Sequence, residues 1–392
     1  MITYIEKLLK GQPIVWKTLG EMGTFMRGFG IQKKDLINEG IPAIHYGQIY
    51  TYYNRFTSIT KSFVDPSFAR TARKAQTGDI VIATTSENDT DVCKAVAWLG
   101  EEELIVSNDA CFYRHSLNPM YLAFFFESNI FQDQKRRLIT GTKVRRVNPK
   151  HLAKILIPVP PLSIQQEIAD ILSHFTELEA ELEAELEARR KQYEYYRNSL
   201  LSFDKLEGGG KIMYKTLGEV AMYEQPGKYI IKSTIHKDSY NTPVLTPGKT
   251  FILGYTDEAD GIYPASQRSI ILFDDFTSAF KWVDFDFKVK SSAVKMITAV
   301  DERQVTLRYI YYWMQTTPPT LVEGDHKRQW ISSFSKKRIP IPPLAEQRRI
   351  VHILDKFDAL TNSLTEGLPK EVELRRKQYE YYREQLLNFP KN

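Results

Sequence analysis

Only two cysteines, Cys93 and Cys111, occur in the 392 residues. That excludes a disulfide framework and leaves too few thiolates for a cysteine-rich zinc site. Long apolar runs are missing too. The greasiest, Tyr121-Leu122-Ala123-Phe124-Phe125-Phe126, is far short of the roughly 20 residues that cross a bilayer. No basic region followed by an apolar run opens the chain, so no secretory leader is expected and a cytoplasmic location is. Enzyme motifs are equally scarce: His-Glu-x-x-His, paired cysteines, G-x-S-x-G and a Gly-rich cofactor fingerprint after a strand do not occur. Pro247-Gly248-Lys249-Thr250 ends like a phosphate loop but lacks that motif's first glycine. The acidic pairs Asp89/Asp91 and Asp274/Asp275 have no histidine or third carboxylate at fixed spacing, so no metal site and no catalytic constellation are expected.

What is present is present twice. Trp16-Lys17-Thr18-Leu19-Gly20-Glu21 returns as Tyr214-Lys215-Thr216-Leu217-Gly218-Glu219, 198 residues on. Ile157-Pro158-Val159-Pro160-Pro161-Leu162 returns as Ile339-Pro340-Ile341-Pro342-Pro343-Leu344. Arg189-Arg190-Lys191-Gln192-Tyr193-Glu194-Tyr195-Tyr196-Arg197 returns as Arg375-Arg376-Lys377-Gln378-Tyr379-Glu380-Tyr381-Tyr382-Arg383. Between these motifs the copies share almost nothing. A constant frame with divergent contents fits a reader with two differently tuned sites. The length alone already favours two or more domains.

The prolines at 158, 160 and 161 forbid regular helix before Leu162. Beyond it, Leu162, Ile164, Ile168, Ile171, Leu172, Phe175, Leu178, Leu182 and Leu186 recur at spacings of mostly three and four, predicting an amphipathic helix to about residue 201, roughly 60 Å long. The second tail repeats the pattern from Leu344, with Gly367 and Pro369 predicting a kink. Two such rods, each with one apolar stripe, are expected to pack as an antiparallel coiled coil, because parallel rods would need return linkers that the chain lacks. Phe389 corresponds to Phe203, immediately before the second copy's start, so the termini are expected near each other in a pseudo-two-fold particle. The expected organisation is domain one over 1–157, rod one over 158–203, domain two over 204–339 and rod two over 340–392. Each domain reads as mixed α/β (α+β-like) with twisted sheets. Strands are expected at 41–46, 79–84, 93–98 and 110–113, then at 250–254, 269–273, 279–283 and 286–290; helices are expected at 120–137 and 307–315.

Charge sharpens the picture. The chain carries a net +5, but the first tail, 162–203, carries −5 and the second, 344–389, balances at zero. The remainder therefore carries about +10, which suits a polyanion. Donor-rich loops supply candidate contacts to phosphates and base edges. In domain one they are Arg27, Tyr46, Gln48, Tyr52, Arg55, Ser86, Asn108 and the basic cluster Lys143, Arg145 and Arg146. In domain two they are Tyr229, Lys232, Tyr255, Gln267, Arg268, Lys281, Lys327, Arg328 and Gln329. Trp98, Trp282 and Trp313 are expected in cores. A non-enzymatic adaptor binding two different proteins fits the frame equally well; the surplus positive charge favours double-stranded DNA.

With its Leu-Gly-Glu starts, its Ile-Pro-x-Pro-Pro-Leu segments followed by glutamine (Gln165, Gln347) and its two Arg-Arg-Lys-Gln-Tyr-Glu-Tyr-Tyr-Arg blocks, the chain resembles the specificity subunits of type I restriction–modification systems over essentially its whole length. That resemblance implies two target recognition domains, each reading half of a split asymmetric DNA sequence, with the rods setting the unread spacer. It implies two modification subunits that use S-adenosylmethionine to methylate adenine, and two restriction motor subunits that use ATP and magnesium. This chain would be non-catalytic and hold no cofactor. Leu19, Glu21, Leu217, Glu219, Gln165, Gln347, Tyr193, Tyr196, Tyr379 and Tyr382 are then the expected partner contacts. The period-four run Leu178-Glu179-Ala180-Glu181, Leu182-Glu183-Ala184-Glu185, Leu186-Glu187-Ala188-Arg189 would act as a ruler, each unit adding about 6 Å, or one to two base pairs of rise.

Overall fold

The computed structural model describes residues 4–12, 14–203, 212–233, 236–237, 239–246, 248, 250–317, 328–363 and 366–389. The chain divides into two compact units, Met1–Glu183 with Glu371–Asn392, and Ala184–Lys370. Each is an α/β domain joined to long helices.

The first unit is built on a five-stranded sheet in the order Gly23–Arg27, Ala110–His115, Ile80–Ala83, Ala95–Trp98, Phe56–Thr57. Its central strands alternate between two cores. Ile80, Ile82, Ala95, Ala97, Cys111 and Tyr113 face one, and Val81, Ala83, Val96, Trp98, Ala110 and Phe112 face the other. Burial on both faces explains why these strands read as continuous apolar runs rather than an alternating pattern. One face is closed by a four-stranded sheet (Ser62–Val64, Ile41–Ile44, Leu104–Val106, Lys74–Ala75) and the helix Tyr46–Thr51. The other is closed by the helix Pro119–Glu127 and by rod residues Ile164, Ile168, Leu172, Tyr379 and Leu386. The expected single helix over 120–137 is two, because Ser128 leaves helical geometry at ψ 153° and caps Asn129–Arg136. Ile5 and Leu8 of the helix Tyr4–Leu9 share this core with Leu387 and Phe389, so both ends of the chain meet in one unit, as the repeat arithmetic predicts.

The second unit repeats the plan on four strands, Ala221–Glu224, Val294–Ala299, Ile270–Asp274 and Phe280–Val283. Ile271, Phe273 and Ile297 face the helix Leu307–Gln315, while Ile270, Leu272 and Met296 face the opposite core. A three-stranded sheet, Ile252–Thr256, Thr242–Leu245 and Lys288–Val289, completes it.

The repeated motifs perform the same local work in both units. Val15–Thr18 pairs antiparallel with Leu156–Val159, and Met213–Thr216 with Arg338–Ile341, in one register: Lys17 opposite Ile157, Lys215 opposite Ile339. The domain therefore closes on its own ends. Glu21 and Glu219 accept from the backbone of Thr18 and Thr216 in capping boxes (2.7 and 2.6 Å). The hydroxyls of Thr18 and Thr216, which donate to the same carboxyls (2.6 and 2.7 Å), and then those backbone bonds hold both carboxyls below the usual range. At the head of each rod a buried glutamine fastens rod to domain. Gln165 Oε1 accepts from Asn118 N–H (2.9 Å) and its amide donates to Pro160 O (2.8 Å). Gln347 accepts from Thr306 N–H (3.0 Å) and donates to the carbonyls of Gln304 and Pro342. Tyr121 and Tyr309 each donate to the middle carbonyl of the proline segment, Pro158 or Pro340.

The first rod is one helix, Leu162–Leu201. The second is broken rather than kinked, into Leu344–Asn362 and Gly367–Leu387. Gly367 sits at φ +72°, and a Cβ there would stand 2.4 Å from Ala359 O, so only glycine fits. Within the first unit the rods run antiparallel: Phe175 stacks on Tyr382, while Arg376 bridges Glu179 and Glu183.

Substituting Gln347 by Ala strands one buried N–H and two carbonyls. Unfolding stability should fall by about 1–3 kcal/mol, read as a lowered urea midpoint, with Gln347→Glu losing at least as much because its carboxylate would be buried against the carbonyls of Gln304 and Pro342.

Candidate nucleic-acid interface

On the first domain four exposed cations converge. A groove of about 560 Å3 is lined by Arg27, Arg73, Arg146 and Lys150, with Asn108 and the single acid Asp109 among its remaining polar side chains. Among the described residues none of the four cations has an ion-pair partner. Backbone hydrogen bonds tie the floor together: Gly28 N–H to Ala110 O, Thr84 N–H to Asp109 O, and Val147 N–H to Thr84 O. Arg27, Asn108 and Arg146 are three of the expected contacts; Arg73 and Lys150 are additions. Arg73 belongs to the basic stretch Arg70-Thr71-Ala72-Arg73-Lys74 and Lys150 precedes His151, a signal that could have marked both.

The rest of the first domain's candidates scatter. Arg145 pairs with Asp89 (2.8 Å) and donates to Gly141 O, so it secures the loop that carries Arg146 rather than facing outward. Lys135 supports the other side of Asp89's loop, its buried ammonium donating to the carbonyls of Thr90 and Val92. Lys143 and Tyr52 are exposed, with Lys61 over the Tyr52 ring. Tyr46, Gln48 and Ser86 are half-buried. Tyr46 and Gln48 lie on the helix Tyr46–Thr51 rather than in a loop, and Gln48 is committed to His45 N–H and Ser62 Oγ. Arg55 is a correction: it pairs with Glu127 (2.8 Å) and lies over Tyr379, fastening domain to rod.

In the second domain Gln267, Arg268, Lys232 and Lys281 are exposed, and Tyr229 and Tyr255 half-buried. Tyr229 donates to Glu224 Oε1. Arg328 is half-exposed but leans towards the fully buried Asp275, which holds Lys295 at 3.1 Å and accepts from Trp330 N–H. Gln329 is buried by the same arrangement, which removes it from the contact surface. Lys327 lies outside the described residues. Glu258 anchors the 232–233 backbone and pairs with Lys288 (2.9 Å).

The expected partner contacts need revision. Leu19 and Leu217 are fully buried in their own cores, and Gln165 and Gln347 are spent on the fastening just described. Tyr379 donates to Glu127 and Tyr193 to Gln315, the matching residues that end the two domain helices. Tyr382 stacks on Phe175, and Tyr196 on Phe357. Each Arg-Arg-Lys-Gln-Tyr block thus docks on the other copy's domain. Its middle tyrosine, Tyr195 or Tyr381, points outward at 69% and 61% exposure. Glu21 and Glu219 remain at the surface, tied into their caps.

The model of the type I restriction modification DNA specificity domain matches residues 13–188 and 210–374. The chain belongs to that family. The specificity chain is 55% identical over 193 residues to the specificity subunit of a type I restriction enzyme of Escherichia coli, a match covering 47% of each. A type I restriction enzyme specificity subunit of Haemophilus influenzae is 30% identical over 99% of the chain and 98% of its own length. The crystal structure of the S subunit of a type I restriction–modification system from M. genitalium shares the fold, with TM-score 0.61 at 16% identity over 97% of both chains. Among the described residues of the specificity chain no helix is long and apolar enough to cross a membrane, and no cluster suited to a metal ion occurs.

The Lys288 hydrogen bond, then the Ser233 N–H, depress Glu258 to about 2 from an ordinary 4.5. A depressed carboxyl stabilises the fold above its unfolded value, and the gain is lost as pH falls through the folded one. The specificity chain should therefore exceed its Glu258→Gln variant in stability near neutral pH. Urea midpoints across pH should show the gap closing as pH drops from 4.5 to about 2.

Proposed function

We propose that each domain reads one half of a split, asymmetric DNA target, and that the chain thereby directs adenine methylation and ATP-dependent restriction carried out by partner subunits. The observation that carries this is the groove, where four exposed cations stand around a rigid floor without ion-pair partners among the described residues. Cations left unpaired on a fixed scaffold are suited to phosphates, whose neutralisation releases counterions and drives binding. Lys143, exposed on the adjoining loop, extends the positive rim. In the second domain the exposed candidates are Lys232, Gln267, Arg268 and Lys281, with Tyr229 and Tyr255 half-buried and Arg328 leaning on Asp275. The family membership and the repeated frame support the same reading.

The partners are two modification subunits, which bring S-adenosylmethionine, and two restriction motor subunits, which bring ATP and magnesium. The chain supplies positioning and no chemistry of its own. A duplicated surface suits a duplicated partner. Tyr195 and Tyr381, outward-facing within identical sequence blocks, give one modification subunit type two matching contacts. Replacing Tyr195 by Ala should lower co-purification of the modification subunit from two copies towards one, measured by native mass spectrometry; unchanged stoichiometry in the Tyr195/Tyr381 double variant would remove these tyrosines from the interface.

Genome-wide adenine methylation tests the main reading. A host expressing this chain with its cognate modification subunit should show a split motif that is absent with the modification subunit alone. Replacing Arg146 and Lys150 by Ala should weaken binding of the complex to all duplexes alike. Each lost phosphate contact should lower the log–log salt slope by about 0.9. Co-purification without methylation and without salt-dependent DNA binding would indicate a protein adaptor.

A further inference from the structure

The hydrogen-bonding capacity of the groove is unevenly spent. Thr84 Oγ1 donates to Asp109 O (2.9 Å), Thr140 Oγ1 donates to Arg146 O (3.1 Å), and Asn148 Oδ1 accepts from Lys150 N–H (2.9 Å). Asn108 is the only other amide side chain in the lining. It is exposed and makes no side-chain hydrogen bond among the described residues. Its main chain is fixed. The turn around it is held by Ser107 N–H to Ile44 O, Ala110 N–H to Ser107 O and Thr84 N–H to Asp109 O, while Ser107 Oγ accepts from Tyr46 N–H (2.8 Å). Gly28 passes so close that a Cβ would stand 2.0 Å from Ser107 O, which clamps the turn from above.

Charge sorts the groove. Asp109, beside Asn108, is the only carboxylate in the lining and repels phosphate from the floor. Arg27, Arg73, Arg146 and Lys150 supply the positive charge that attracts phosphate to the lining. An uncharged amide beside that carboxylate is suited to a base edge rather than to a phosphate. Resting on the reading of this groove as a DNA site, we infer that Asn108 is a specificity-determining residue that recognises an adenine in the half-site read by the first domain. A carboxamide offers an acceptor and a donor side by side, matching the N6 amino group and N7 of adenine in the major groove. Guanine presents two acceptors there and cytosine a donor, so either satisfies only half of the amide. The rigid turn keeps the amide aimed, which is what discrimination between base pairs requires.

The test is the methylation motif written by the chain with its cognate modification subunit, compared with Asn108→Ala and Asn108→Asp. Asn108→Ala should leave the second half-site unchanged and make one position of the first half-site degenerate, with discrimination there falling roughly tenfold or more. Asn108→Asp removes the donor and leaves an acceptor for the cytosine amino group, so the preference at that position should move from adenine to cytosine. A motif unchanged in Asn108→Ala, or loss spread evenly over all positions, overturns the assignment. Thermal unfolding of both variants should match the parent, since the side chain is exposed. The parent complex separates the two levels: if it writes no chain-dependent split motif, the DNA reading itself fails, whereas a normal parent motif with an unaffected variant removes Asn108 alone.

Discussion

Each domain depends on a sheet buried on both faces whose second face it cannot close by itself. In the first unit the central helix Pro119–Glu127 is wholly apolar along its middle, and its exposed flank would be a liability without Ile164, Ile168 and Leu172 from one rod and Tyr379 and Leu386 from the other. The second unit closes Leu307–Gln315 with Ile350, Leu354, Tyr193 and Leu201. Burying the hydroxyl of Tyr379 or Tyr193 in that seam requires an acceptor, and Glu127 and Gln315 provide it at matching places. The rods are therefore part of each domain's core, and the order of motifs along the chain follows from that need.

The two units reach this end with different electrostatics. In the first, Glu127 belongs to the domain and gathers Arg55, Tyr379 and Arg383. In the second, Arg308 belongs to the domain and reaches Asp355 and Asp358 of the rod, sandwiched by Trp282 and Tyr311. Mutual attraction between a half-buried cation and its carboxylates is retained while its direction is reversed. The apolar frame, the glutamines at the rod heads and the buried tyrosine hydroxyls are common to both copies; the ion pairs were solved separately in each.

The frame was legible because its residues obey strict local rules. Prolines at 158, 160 and 161 exclude helix before Leu162, and the three–four apolar period beyond it predicts one long rod; the capping boxes of Thr18 with Glu21 and Thr216 with Glu219 lay hidden in a motif read as a partner contact. The end of the helix at Asn362 was harder, since Gly367 could have kinked a continuous helix; Gly367 instead stands at positive φ close to Ala359 O. The loops gave way for a different reason. Arginine, glutamine and tyrosine can turn inward or outward without changing any periodicity, so Arg55, Gln165 and Arg145 read as surface contacts yet serve as fasteners, and Gln329 is buried. Arg73, beside Arg70 and Lys74, and Lys150, beside His151, could be tied to the site only once the fold brought 27, 73, 108, 146 and 150 to one groove.

The strand pair that closes each domain has a consequence for how such proteins change over time. Because Lys17 lies opposite Ile157 and Lys215 opposite Ile339, the chain enters and leaves each domain at adjacent points on a two-stranded seam. Everything threaded between those points can be replaced wholesale, provided the newcomer supplies one apolar helix for the rods to cover. The seam works as a socket with a fixed fitting. New contents can be acquired by recombination in a single event, and the rods, the caps and the rest of the molecule need not mutate in step.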